Sequence, residues 1–275
     1  MEPGRLAQQS LKLPAYFISH GGGPWPFMPE VRPGYARLVE SLRDIPRQLG
    51  RKPAAIAMVS AHWETRGAFA VMSSPRPPML YDYYGFPEHT YRIQYPAPGS
   101  AHLAARVDEL LRQAGLPVRQ DPERGFDHGA FVPLSVMYPE ADVPVVQLSI
   151  EAHYDPDVHM ALGRALAPLR DEDILILCSG LSYHNLREIR STGAEPSAQF
   201  DAWLQQAVVQ GPVEQRAAQL RQWESAPSAR RAHPREDHLI PLMVAAGAAE
   251  REPAACIYHD DSTFANITAS SFRFG

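Results

Sequence analysis

Five short apolar runs constrain what this chain can fold into. Residues 15–19 (AYFIS), 54–60 (AAIAMVS), 68–72 (AFAVM), 143–149 (VPVVQLS) and 173–179 (DILILCS) carry little polar alternation. A strand with one face in water alternates polar and apolar residues, whereas a strand covered on both faces does not. Helical patterns lie between them: 34–49, 101–115 ending at Gly115, 155–169 opening on Asp155, a block over 197–224, and 237–249. Gly suits a helix C-terminus and Asp a helix N-cap. The runs AACIYH and TASSFRF near the C-terminus add two more strands. This order predicts one α/β domain, a central, mostly parallel sheet flanked by helices.

The rest of the composition narrows the function classes. A length of 275 residues with 45% apolar content supports a sizeable core. The net charge of −5 leaves no electrostatic footprint for nucleic acid or an anionic membrane, and it is compatible with a small anionic ligand. Cys178 and Cys256 both sit in apolar runs, so they read as buried thiols and not as a disulfide or zinc framework. No apolar stretch reaches membrane-spanning length, and the N-terminus carries no apolar signal core. The expectation is a cytoplasmic protein, with room for a homo-oligomer.

The 27 prolines gather in loops. The segment 74–100 is long, Pro-rich and aromatic, and reads as an ordered excursion because its aromatics need packing partners. A cover over a pocket and ordinary surface packing both fit it.

The positions of the histidines matter more than their number. His20 directly follows the first strand, His62 the second, and His184 lies just after the 173–179 run. In an open α/β sheet, ligands bind outside the carboxyl ends of the strands. Three imidazoles there would line one crevice, and imidazole suits zinc, iron, copper and nickel. One histidine after a strand is more often a hydrogen-bonded loop residue; three at equivalent ends, beside Gly or Ser, favour a metal site. Gly21–Gly23 allow close backbone approach to a ligand, or simply a tight turn. His128 lies between helical and strand blocks, and His238 opens the last helix. Glu236 and Asp237 precede it as helix-cap groups or as a carboxylate completing an iron triad, with the cap favoured for Asp237. His233 is a weaker candidate for supporting the site. His89, His102, His153, His159 and His259 lack such context.

Five ordered segments carry a family resemblance: FISHGGGP around His20, VSAHWE around His62, FDHGAFVPL around His128, SGLSYHNL around His184 and REDHLIPLMVAAGA around His238. With the ending SSFRFG, they resemble the LigB-type (class III) extradiol dioxygenases, in particular the DOPA-dioxygenase-like branch. The resemblance covers 14–275 and leaves 1–13 as an N-terminal extension. It implies a non-haem Fe(II) enzyme that opens a catechol with O2 to a semialdehyde. It implies His20, His62 and His238 as metal ligands, with His238 preferred to Glu236. His184 matches a catalytic base that is also described near enough to bind metal. His128 matches a pocket histidine that contacts substrate or oxygen. Zn(II) fits the same ligands but has no redox change. A zinc-dependent hydrolase on this site, and a non-catalytic Memo-like binding protein, are the competing readings.

Overall fold

The computed structural model describes residues 12–262 and 266–275, so most of the 1–13 extension lies outside the described residues. Eight strands form one sheet: β1 (Ala15–Ser19), β2 (Ala55–Thr65), β3 (Phe69–Met72), β4 (Val118–Asp121), β5 (Val145–Glu151), β6 (Ile174–Gly180), β7 (Ala254–Asp260) and β8 (Ala269–Phe274). Their order is β4-β3-β5-β2-β6-β1-β8-β7. The central four, β5-β2-β6-β1, run parallel. β8 and β7 continue the sheet antiparallel on one side, and β3 is antiparallel to β5 on the other.

The helices are α1 (Ala36–Leu49), α2 (Ala101–Gln113), α3 (His128–Met137), α4 (Pro156–Leu166), α5 (Ala194–Leu204), α6 (Val213–Arg221), α7 (Ala229–Ala232) and α8 (Ile240–Ala248). Two apolar cores explain why the central strands read as unbroken apolar runs. Ala15 and Phe17 of β1, Ala57 and Val59 of β2, and Ile176 of β6 face one core with α2, α4 and α8. Tyr16 and Ile18, Ile56 and Met58, and Leu175 and Leu177 face the other, with α1, α3 and the aromatic segment. Period-2 alternation persists, but both sides of it are apolar because helices cover both faces. No helix among the described residues is long and apolar enough to cross a membrane.

Two elements escaped the sequence. β4 is a half-exposed edge strand of four residues, Val-Arg-Gln-Asp, with no apolar signature. α3 fell in none of the helical patterns; Pro133 is its sixth residue, and the Gly129 carbonyl that Pro133 cannot serve accepts instead from Ser179 Oγ at 2.5 Å. Its N-cap is Asp127, whose side chain accepts from the Ala130 amide at 3.1 Å. His128 is therefore the first residue of a helix and not a linker residue.

Candidate metal centre

The site lies at the carboxyl edge of the parallel strands. His20 follows β1 directly and turns back at Gly21, whose φ is +77°. That turn lets the His20 ring nitrogen Nδ1 donate to the Gly21 carbonyl at 2.8 Å. A Cβ on Gly21 would sit 2.4 Å from Trp25 Nε1, which itself donates to the His20 carbonyl at 2.8 Å. The Gly21–Gly23 run therefore makes a tight turn here.

His62 does not follow β2, as its sequence position suggested. β2 continues to Thr65, and its register with β5 shifts between Val59 and Glu64. This bulge carries His62 past the last pair of β2 with β6, Ser60↔Ser179. Bulges commonly re-aim a side chain beside a site. α3 then packs against the same stretch. A Cβ on Gly129 would lie 2.6 Å from Ser60 Oγ and 2.8 Å from His62 Cδ2, so only glycine permits the approach.

His238 precedes α8. Its neighbour Asp237 is not a helix cap: Leu239 holds that position, with no side-chain cap. Asp237 Oδ2 instead accepts from His238 Nδ1 at 2.9 Å, and its other oxygen lies 3.8 Å from His184 Nδ1. Glu236 pairs with Arg230 at 2.8 Å and, among the described residues, joins none of the histidine clusters.

One ring nitrogen from each of His20, His62 and His238 falls within 4.8 Å of the other two. In each ring the opposite nitrogen is already engaged. His20 Nδ1 has the Gly21 carbonyl, His238 Nδ1 has Asp237, and His62 Nδ1 lies 3.2 Å from Asp82 Oδ2. These partners are acceptors, so they place the proton on Nδ1 and leave the Nε2 lone pair free. His20 Nε2 is buried with no partner, and His62 Nε2 faces His238 Nε2 at 3.2 Å. Lone pairs converging in a buried site, each backed by an acceptor on Nδ1, is the arrangement that metal-binding histidines show. The donor set fits a divalent cation.

Asp82 was not singled out by the sequence. It sits in the aromatic segment and touches two site histidines at once. Its Oδ1 accepts from His128 Nδ1 at 2.8 Å and from the His128 amide at 2.9 Å. Tyr83 packs edge-on against His128 at 5.7 Å, so the segment covers the site as one of its two readings held. Nothing in the residue spacing distinguishes Asp82 from other loop aspartates; its place depends on a contact 46 residues away.

The His128 ring centre lies 3.9 Å from that of His62 and 5.4 Å from that of His20. His184 stacks on His238 at 3.3 Å and groups with Asp237 and His238, not with His20 and His62. Its segment is stitched to α7: the His184 amide donates to the Ala232 carbonyl at 2.9 Å, and Asn185 Nδ2 donates to the Arg231 carbonyl at 2.8 Å. His233 completes the clamp through Nε2 and the Ser182 carbonyl at 2.9 Å. Behind the site, buried Asp127 accepts from Ser60 at 2.8 Å, from Arg124 at 2.6 Å and from Gln147. Among the remaining histidines, His153, His159 and His259 take hydrogen bonds close in sequence, His89 bonds the Phe27 carbonyl, and none of the four joins the clusters.

Burial and the neighbouring imidazoles hold His20 and His238 well below the usual histidine range. Burial and His62 lower His128 against the pull of Asp82. His62 goes the other way: burial opposes its charge, but Asp82 and Asp127 outweigh it and raise its pKa. Burial would raise the Asp82 and Asp237 carboxyls, yet the histidines beside them hold both well below the usual carboxylate range.

Comparison with known proteins gives this geometry its context. The family described as "Catalytic LigB subunit of aromatic ring-opening dioxygenase" matches residues 14–275. The 4,5-DOPA dioxygenase extradiol of Beta vulgaris is 40% identical over 264 residues, covering 94% of this chain and 95% of that protein. The protein of the same name from Escherichia coli K12 is 36% identical over 277 residues, covering 98% and 97%. A crystal structure of an uncharacterised Escherichia coli K12 protein superposes with a TM-score of 0.75 at 33% identity, over 96% of this chain and all of that one. The chain belongs to the LigB family of aromatic ring-opening dioxygenases and is an extradiol dioxygenase.

Proposed function

We propose that His20, His62 and His238 hold Fe(II), and that the enzyme opens a catechol beside its two hydroxylated carbons, adding both atoms of O2 to give a semialdehyde. The observation that carries this reading is the convergence of one ring nitrogen from each of these residues within 4.8 Å, with every Nδ1 tied to an acceptor. A neutral three-imidazole set suits iron and also zinc, and only iron serves the oxygen step. Iron(II), when bound, acidifies a coordinated catechol hydroxyl and supplies the redox chemistry of O2.

The protein's part is to orient the ring, exclude water and move protons. His128 is the proposed base. Burial and His62 keep it neutral at pH 7, and Asp82 accepts a hydrogen bond from its Nδ1–H, so Nε2 presents a lone pair to a substrate hydroxyl. The Asp82 carboxylate then stabilises the imidazolium that forms. His184, stacked on His238 and beside Asp237, is a second proton-transfer group. Its grouping with Asp237 favours this role over that of a fourth ligand. The segment bearing Tyr83 shields the centre from bulk water.

The relatives named as DOPA dioxygenases make DOPA the first catechol to try, within a catechol class that also includes simpler and acidic members. Reaction under 18O2 tests the reaction type. Two labelled oxygens in a ring-opened product support extradiol cleavage; a product without label supports metal-assisted hydrolysis.

A further inference from the structure

We propose that Asp82 is a positioning residue that fixes the proton on Nδ1 of His62, turns the His62 Nε2 lone pair to the metal, and so makes metal binding depend on the seated aromatic segment. The inference rests on the three-histidine reading above and extends it to a residue outside the ligand set.

The argument is one of donors and acceptors. The ionised carboxylate of Asp82 can only accept. Oδ1 takes two hydrogen bonds from His128, one from the ring Nδ1 and one from the backbone amide, and Oδ2 faces His62 Nδ1 at 3.2 Å. Both rings must therefore carry their proton on Nδ1. The backbone amide of His128 is an obligatory donor, so whatever atom replaces Oδ1 must also accept.

That asymmetry makes Asp82→Asn informative. The side-chain oxygen of the new amide is held at the Oδ1 position by the two His128 donors. Its NH2 group must then face His62 Nδ1. A donor there repels the Nδ1 proton and favours the other tautomer, whose Nε2 is protonated and cannot bind a metal. The same variant keeps the hydrogen bonds that dock the segment onto His128. The segment also ties itself together without Asp82: Tyr81 donates to the Ile93 carbonyl at 2.6 Å and Tyr83 to the Thr90 carbonyl at 2.5 Å.

A purely structural role for Asp82 and the proposed role therefore separate. The test measures Zn(II) affinity by chelator competition, and hydrogen exchange of residues 79–95, in wild type, Asp82→Asn and Asp82→Ala. The proposal expects Asp82→Asn to lose about 10- to 100-fold in Zn(II) affinity, the range for removing the partner of a ligating histidine. Exchange protection should stay near wild type. Asp82→Ala, which removes the carboxylate without supplying a misplaced donor, should lose protection and lose no more affinity than Asp82→Asn. Wild-type affinity in Asp82→Asn overturns the proposal. Imidazole 15N spectra of the wild-type Zn(II) protein test it without any variant: a His62 proton on Nδ1 supports it, and one on Nε2 overturns it. If wild type binds no Zn(II), the metal reading itself fails. The His62 tautomer in the metal-free protein then still decides the role of Asp82, with Nε2–H overturning it.

Discussion

His62 Nε2 and His238 Nε2 lie 3.2 Å apart although the residues are 176 positions apart in the chain. Each ring has its other nitrogen committed to a carboxylate, Asp82 for one and Asp237 for the other. Two lone pairs held face to face repel unless a proton or a cation lies between them. The fold brings them together through the β2 bulge and the turn before α8, so the strain of this pairing is resolved by what binds there.

Metal should accordingly stabilise the folded protein. A ligand at 100 times its Kd adds about 2.7 kcal/mol. Thermal unfolding with excess Zn(II) should show a higher midpoint that a chelator reverses, and His62→Ala should abolish the shift. An equal shift in His62→Ala would place the binding elsewhere.

His128→Gln and His184→Gln separate proton transfer from metal binding. Both variants should retain stoichiometric iron, with turnover reduced about 10²- to 10⁴-fold, the usual contribution of a positioned acid or base. Metal analysis alongside steady-state rates checks this. Loss of iron in His184→Gln would make that residue a ligand.

Gly129→Ala tests the close passage of α3 over β2. The added Cβ meets Ser60 Oγ at 2.6 Å and His62 Cδ2 at 2.8 Å. Overpacking of this kind costs about 1–3 kcal/mol, so denaturant unfolding should shift to a lower midpoint, and Zn(II) affinity should fall with the displaced His62. An unchanged midpoint would mean that α3 moves away freely.

Acid sensitivity should come in part from buried histidines outside the centre. Burial pushes His159 down to about 4 and His233 down to about 3. Unfolded, each protonates near 6.5, so protonation favours the unfolded chain. Their stabilisation is complete above about pH 6.5 and is lost as pH falls toward the folded values. Between pH 7 and pH 5 each ring should cost about 2 kcal/mol. Urea unfolding at the two pH values should show a shallower loss in His159→Gln; an unchanged loss would contradict the assignment.

The sheet was legible because its central strands are buried on both faces, a condition that leaves continuous apolar runs such as ILILCSG. β4 and α3 were not, since an exposed edge strand has no such signature and a helix buried nearly all round has no polar face to mark its period. His20, His62 and His184 were legible as site candidates because imidazoles beside strand ends are chemically conspicuous, whereas His128 and His238 drew their roles from the family resemblance. The bulge that places His62, and the carboxylates of Asp82 and Asp237 that orient the rings, depend on tertiary contacts. Asp237 was read as a cap because local sequence cannot distinguish an aspartate serving a helix from one serving the adjacent imidazole.

The central claim is tested most directly by loading anaerobic, metal-free protein with Fe(II), adding a panel of catechols including DOPA, and following O2 uptake with near-visible absorbance. The account predicts O2 uptake matched by a new yellow semialdehyde chromophore, absent with Zn(II) and absent in His20→Ala. Iron bound to a folded protein with no uptake across the panel, or undiminished uptake in His20→Ala, would contradict it.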